Sequence, residues 1–284
     1  MKLFYYKSDF GNFGDDLNPW LWPQILGELD AFCSADWLVG IGTILDRRLD
    51  DLPGTKLVMG SGFNPALPTS DRKKEIQIAF VRGPLSAKAL GLEESKSVTD
   101  GAILVSRLFD PSKLHKRGRP LFIPHFHTAI NFDCARAAEM ADVDYLDPRS
   151  SVSHSLHAIG QASIVIAEAM HGAIVADALR IPWLRIRAHN YIRQPRMAEF
   201  KWQDWGMSMS VMTNSVADAR IPRYTGRGSS LLRRLLCSHS CSVIARTIIA
   251  GLRSSKGTLS SDQNHGRALE RVVACCEDIV QGRW

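Results

Sequence analysis

The chain is predicted to be an α/β protein with two Rossmann-like domains followed by C-terminal helices, and three observations carry that prediction. A rhythm of strand, polar turn and helix runs through residues 1–115 and resumes over 119–210. The clearest strand, Ile164-Val-Ile166, is a short β-branched run with the composition of a buried parallel strand. Between the two series, the polar and basic segment Asp110-Pro-Ser-Lys-Leu-His-Lys-Arg-Gly-Arg-Pro120 breaks the rhythm as an interdomain linker would. A length of 284 residues is enough for two such domains.

Bulk properties narrow the class further. With 45% hydrophobic and 23% charged residues, the composition is that of a folded soluble protein. It holds no apolar stretch of the length that crosses a bilayer. Residues 1–10 carry Lys2, Lys7 and Asp9 and lack the apolar core of a signal peptide, so a cytoplasmic protein is expected. The six cysteines (Cys33, Cys134, Cys237, Cys241, Cys275 and Cys276) have no CxxC spacing and are expected to be reduced thiols. A formal net charge of +6 suits anionic small molecules or an anionic membrane face, and is too diffuse to indicate nucleic acid.

In chain order, Leu3-Phe-Tyr-Tyr6 opens as a strand, and Gly11 to Asn18 follows as its loop. Asp15 or Asp16 caps a helix expected to begin near Asn18-Pro19. Two adjacent carboxylates at the end of a first strand are also candidates for binding or deprotonating a hydroxyl. Trp37 to Gly42 and Lys56 to Gly62 are strands ending in G-x-G, but Leu45 and Pro65 stand where a dinucleotide fingerprint needs its third glycine. Glu75 to Val81 is a strand, and Pro84 and Gly91 suit the first turn and the C-terminal cap of the helix after it. Arg82, at that strand end, is either a structural residue, on a solvated face or in an ion pair, or a fork for carboxylate or phosphate. Ser97 to Val105 adds a short strand, Asp100 as cap, and a helix.

The second series begins with Leu121 to His127, a strand whose end carries His125 and His127. No third ligand stands at metal-binding spacing, so phosphate or sugar contact is the better expectation and no metal is invoked. A helix over Cys134 to Ala141 leads to Val143 to Arg149, a strand with Asp147 and Arg149 at its end, and a helix follows around Val152 to Ile159. Then comes the stretch of greatest interest, Ser163 to Pro182. Its strand runs into Glu168, His171 and Gly172, and apolar and small residues at helical spacing continue to Leu179. An acid and an imidazole therefore sit at a strand-to-helix turn, where α/β sheets face their ligand crevice and free helix N–H groups favour an anion. The plainer alternative is a buried Glu and His bonded to backbone. Trp183 to Arg187 is one more strand, with Arg185 and Arg187 on the same side.

Phe200-Lys-Trp-Gln-Asp-Trp-Gly206 offers either sugar-stacking tryptophans or anchors between domains. Residues 211–284 form a basic helical tail in which Leu231 to Leu236 and Val243 to Ile249 read as amphipathic, to be packed on the domains or laid on an anionic membrane face. Ser254 to His265 is read as a polar loop, and a last helix covers Arg267 to Val280.

Taken in order, Asn12-Phe-Gly-Asp-Asp-Leu-Asn18, Gly60-Ser-Gly-Phe63, Val81-Arg-Gly-Pro-Leu-Ser86, Thr99-Asp-Gly-Ala102 and Glu168-Ala-Met-His-Gly-Ala173 resemble the polysaccharide pyruvyl transferase family. The resemblance covers residues 1–206 and is nearest to members from bacterial exopolysaccharide clusters of the succinoglycan type. It implies a GT-B-like pair of domains and transfer of pyruvate from phosphoenolpyruvate onto two sugar hydroxyls as a cyclic ketal. It also implies a lipid-linked oligosaccharide acceptor at the cytoplasmic face of the membrane, and no cofactor beyond phosphoenolpyruvate as co-substrate. The family's His before Gly falls on His171, and its Arg before Gly on Arg82. Many members carry Arg two residues before that His; here Ala169 stands there.

The site expected on this basis divides between the domains. His171, Glu168 and Asp16 are the catalytic candidates, with the proton assigned to either His171 or Glu168. Arg82, from the N-terminal domain, and His171, Gly172, Arg185, His125 and Lys201, from the C-terminal donor side, are candidates for the donor. Asn12, Asp15, Asp16 and Asp100 are candidates for the acceptor, on the N-terminal side. The alternatives are a GT-B glycosyltransferase using a nucleotide sugar and a non-catalytic member that binds glycan or scaffolds assembly.

Overall fold

The structure, a computed structural model, describes residues 1–27, 34–66, 75–115, 118–188, 195–219, 221 and 230–283, with the backbone alone at 230–238. Its strands are β1 (Lys2–Phe4), β2 (Trp37–Val39), β3 (Lys56–Met59), β4 (Ile76–Phe80), β5 (Pro120–Ile123), β6 (Asp144–Tyr145), β7 (Ile164–Ala167), β8 (Trp183–Arg187) and β9 (Ala217–Asp218). Its α-helices are α1 (Phe13–Leu26), α2 (Pro84–Leu90), α3 (Val105–Leu108), α4 (Phe126–Asn131), α5 (Cys134–Met140), α6 (Val152–Gln161), α7 (Met170–Ala178), α8 (Pro195–Met209), α9 (Ser230–Ser254) and α10 (Asp262–Val280).

Two compact units result, each assembled from separate stretches. Met1–Asp110, Arg196–Thr213 and Ser260–Trp284 form the first, and Pro111–Pro195 with Asn214–Leu259 forms the second. The expected division at 119–210 and 211–284 therefore differs from the observed one: α8 and α10 return to the first unit, and α9 joins the second. The reason is burial. Trp202 and Trp205 of α8 are 2% and 1% exposed, as core residues are, which removes them from any sugar-stacking role. On α9, Ile244 and Ile248 are one helical turn apart, fully buried, and pack against Phe122, Ile166 and Leu184 of the second unit. Val243 to Ile249 thus packs on its own unit's sheet, whereas the side chains of Leu231 to Leu236 lie outside the described residues. No described helix is long and apolar enough to cross a membrane.

The first unit holds a parallel sheet in the order β1-β2-β3-β4. Its first helix starts at Phe13, five residues before the expected Asn18, and carries Pro19 and Pro23 inside it. Pro19 has no N–H for the carbonyl of Asp15 four residues back. The Asn18 amide fills that gap, donating to the Asp15 carbonyl at 2.8 Å and to the Ile41 carbonyl at 2.9 Å. The same amide oxygen accepts from Ile41 N–H at 2.7 Å and from Trp22 Nε1 at 3.0 Å, so a fully buried side chain is satisfied on every side. This bridge also explains the first G-x-G: a Cβ on Gly40 would lie 2.1 Å from Asn18 Oδ1. Gly40 therefore serves helix–sheet packing, whereas Gly42 sits at φ +139°, a backbone conformation that favours glycine.

The second unit's sheet runs β6-β5-β7-β8-β9, again all parallel. The expected strand from Leu121 to His127 stops at Ile123, and His127 falls in the first turn of α4. Likewise α10 begins at Asp262, so the expected polar loop up to His265 shrinks to a short connection in which Thr258 pairs with Trp183. Cys134, Cys241, Cys275 and Cys276 are free thiols, while Cys33 and the side chain of Cys237 lie outside the described residues.

Candidate active site

In the second sheet β5 lies between β6 and β7, so the strand order reverses there. Crossovers on the two sides of such a reversal leave on opposite faces, which opens a crevice beyond the strands' carboxyl ends. The segments that leave those ends carry His125 after β5, and Glu168 and His171 after β7.

Glu168 laces the two segments together. Its N–H donates to the Ile123 carbonyl at 3.0 Å. Its carboxylate accepts from His125 N–H and from the Thr128 hydroxyl, both at 2.9 Å. At 5% exposure, such a carboxylate is tolerable only because it is bonded in this way. His125 Nδ1 accepts from His127 N–H at 3.3 Å, which places the proton of the neutral ring on Nε2 as a donor. His171 is half-buried in the first turn of α7. Ala169, at the N-cap of that helix, has no side chain able to cap it. Gly172 lets α7 start close to the sheet, since a Cβ there would lie 3.2 Å from Ile123 Cδ1. Arg185 is 2% exposed within β8, so its charge acts from inside the unit. At the end of β6, Arg149 grips Asp147 through Nε at 2.8 Å and also through Nη2, and this holds the Asp147 carboxyl below the usual range.

At the sheet edge of the first unit, Asn12 is the N-cap of α1 and Asp15 and Asp16 lie in its first turn, where the helix dipole favours carboxylates. Asn12 N–H donates to Asp16 Oδ2 at 3.1 Å and its amide to Asp15. The three acceptor candidates therefore form one bonded group. Asp100, the fourth, is fully buried and caps the 3₁₀ turn Gly101–Leu104 through Ala102 N–H at 3.0 Å. It is a structural cap rather than a ligand contact.

Arg82 also belongs to the interior. It is fully buried, pairs with the equally buried Asp204 at 3.2 Å, and donates to Thr43 Oγ1 at 2.8 Å. Asp204 accepts in addition from Ser86 N–H at 2.9 Å and from the Ser86 hydroxyl. The guanidinium lies so close to the second G-x-G that a Cβ on Gly62 would stand 2.1 Å from Nη2. Of the two roles expected for Arg82, this geometry is that of the structural ion pair. Lys201, expected with the donor residues, stands half-buried on α8 in the first unit.

One pair escaped notice in the sequence. Asp46 is fully buried and grips Arg48 through Nε at 2.8 Å and Nη2 at 2.6 Å. The Asp-x-Arg spacing that makes this fork is the same as in Asp147-Pro-Arg149 and was the available signal. Among the described residues no three His, Cys, Asp or Glu side chains gather as metal ligands.

No protein-family model and no solved structure matches the chain. Over 212 residues it is 38% identical to the succinoglycan biosynthesis protein ExoV of Rhizobium meliloti (strain 1021). That match takes in 74% of this chain and spans 66% of the relative's length. At this identity over 74% of its length, the chain belongs to the succinoglycan-type polysaccharide pyruvyl transferase family.

Proposed function

We propose that the protein transfers pyruvate from phosphoenolpyruvate to two hydroxyls of a sugar in an exopolysaccharide repeat unit, forming a cyclic ketal. The observation that carries this reading is the gathering of His125, Glu168 and His171 around the strand-order reversal of the second unit, beside a helix start that its own N-cap residue cannot close. Such a helix start favours an anion, and two imidazoles can donate to phosphate oxygens or move a proton at neutral pH.

The chemistry follows from the donor. Protonating the methylene carbon of phosphoenolpyruvate makes C2 electrophilic. One sugar hydroxyl adds at C2 and gives up its proton, inorganic phosphate leaves with the C–O bonding pair, and the second hydroxyl closes the ketal and loses its own proton. His171 is assigned as the acid/base at the donor. Glu168 is assigned as the residue that positions His125, because both its oxygens are already bonded to that segment. Arg149, with 35% of its side chain exposed at a neighbouring strand end, replaces Arg82 as the cation nearest this role. Asp15 and Asp16 are assigned to the acceptor hydroxyls, with Asn12 orienting them. The family resemblance supports a GT-B-like domain pair, a lipid-linked acceptor and action at the cytoplasmic membrane face as parts of the same proposal.

The test is phosphate release from phosphoenolpyruvate in the presence of a lipid-linked, unpyruvylated succinoglycan repeat unit. Acceptor-dependent release with a gain of one ketal-linked pyruvate is expected. Thermal stabilisation by nucleoside diphosphate sugars and none by phosphoenolpyruvate would instead identify a glycosyltransferase.

A further inference from the structure

The first unit presents a second set of groups at its sheet edge that the assigned residues do not explain. Arg48 is held as a rigid fork: Asp46 Oδ1 accepts from its backbone N–H at 3.0 Å and from Nε at 2.8 Å, and Oδ2 accepts from Nη2 at 2.6 Å. Asp46 is itself pinned by Asn64 Nδ2 at 2.8 Å and fully buried, so the fork has little freedom. Yet 36% of the Arg48 side chain is exposed, and Nη1 has no partner among the described residues. A guanidinium fixed on one side and open on the other is a pre-organised donor.

Its surroundings indicate what it donates to. Asp46 ends the loop that leaves β2, and a Cβ on Gly42 of that loop would lie 3.5 Å from Asp15 Oδ1, so the Asp15 carboxylate stands over the same loop. The Asp15 carboxylate acts electrostatically on the Arg48 guanidinium, and the Tyr6 side chain lies within the same range. Beyond β1, Tyr6 is 41% exposed and Phe10 is 64% exposed. Phe10 is carried on a tight turn in which its N–H donates to Ser8 Oγ at 3.2 Å and Gly11 N–H donates to the Ser8 carbonyl at 3.2 Å. An exposed aromatic side chain within reach of a fixed guanidinium, with exposed Phe10 four residues on, offers a ligand an apolar face beside a polar donor.

Charge decides between an anion and a neutral ligand. Asp15 and Asp46 set two carboxylates against the guanidinium of Arg48, while Asp16 acts on Tyr5, over whose ring Lys7 Nζ lies at 5.4 Å. Each uncompensated carboxylate near 4 Å from a bound phosphate costs about 4 kcal/mol at an effective dielectric of about 20. A pyranose has no such penalty. Its hydroxyl edge takes one fixed donor and several acceptors, and its C–H face lies on aromatic rings.

We propose that Arg48, locked by Asp46, is the specificity-determining donor of a pyranose subsite in the first unit, with Asn12, Asp15 and Asp16 accepting hydroxyl protons and Tyr6 and Phe10 supplying the apolar face. The inference deepens the proposed function and rests on its placement of the acceptor. It concerns binding, so it is tested without turnover.

Calorimetry with an oligosaccharide prepared from succinoglycan and freed of its pyruvate by mild acid is the direct measurement. The wild type is expected to bind it, Arg48→Gln to weaken it about tenfold or more, and Arg48→Lys not to restore it, since an ammonium cannot keep the fork. Tyr6→Ala, a surface change that leaves the fork intact, is expected to weaken it about threefold or more. Inorganic phosphate should not compete, and stabilisation by phosphoenolpyruvate should be the same in wild type and Arg48→Gln. No binding by the wild type, equal binding by Arg48→Gln while it stays folded, or displacement by phosphate would each overturn the assignment. If Arg48→Gln fails to fold, an unchanged affinity in Tyr6→Ala overturns it. Saccharide binding without phosphate release from phosphoenolpyruvate would leave the subsite standing and remove the proposed reaction.

Discussion

The two units are made of the same materials, parallel strands joined by helices, but their strand orders differ. The first runs β1-β2-β3-β4 without reversal among its described strands, and the second reverses at β5. Topology alone therefore supplies the second unit with a crevice, and His125, Glu168 and His171 gather at its edges. The first unit has to build its polar edge from loops, which it does with the amide bridge of Asn18 and with Asp46 and Arg48. The matched forks show the same contrast. Asp46 is fully buried beneath Arg48, whereas the Asp147 side chain is 30% exposed beneath Arg149. Where no crevice comes from the strand order, the side chain is held more firmly.

The sharpest way to break this comparison is to remove the imidazole at the reversal. His171→Ala is expected to lower phosphate release from phosphoenolpyruvate about 10²- to 10⁴-fold with the fold intact by circular dichroism. Near wild-type turnover would take the chemistry away from the second unit. Next in size is the buried pair of the first unit. Arg82→Met leaves Asp204 buried without its cation and is expected to lower the unfolding free energy by about 3–5 kcal/mol in urea titrations. If instead it leaves stability unchanged and abolishes phosphoenolpyruvate binding, Arg82 is a donor ligand after all.

A smaller effect is expected from Glu168→Gln, which replaces one accepting oxygen by a donor facing a donor. About 1–3 kcal/mol of stability should be lost, along with His125-dependent affinity for phosphoenolpyruvate, read as a rise in its KM. The smallest concerns Asp147. Its folded pKa is depressed by the bond from Arg149, so the stabilisation is present above the ordinary carboxylate pKa and is lost as pH falls through the folded value. Asp147→Asn should flatten the acid side of a Tm-against-pH curve below about pH 4 and leave the neutral plateau almost unchanged. Because the pair is partly exposed, the difference should not exceed about 1 kcal/mol.

Much of the second unit was legible from residue patterns. The β-branched run, the acid and imidazole after it, and Pro182 beyond the helix place β7 and α7 nearly where they lie, because those signals are local. The start of α1 was not legible. Pro19 marks a first turn by the usual preference, and the Asn18 amide, by donating to the Asp15 carbonyl that Pro19 cannot serve, makes it acceptable further inside the helix. Arg82 and Asp204 are 122 positions apart, so no spacing rule joins them. The role of Arg82 changed once its partner was known.

By itself, then, the sequence determined the α/β class, the order of its motifs and the residues able to move a proton or hold an anion. These follow from side-chain chemistry and from periods of two and 3.6 residues, which act over a few positions. Tertiary structure alone decided which charged groups are buried. It turned Arg82 and Asp100 into internal supports, sent α8, α9 and α10 to different units, and fixed Arg48 as a half-exposed donor over a buried Asp46. Burial and ion pairing depend on contacts between residues far apart in the chain, and it is those contacts that separate a structural charge from one left open to a ligand.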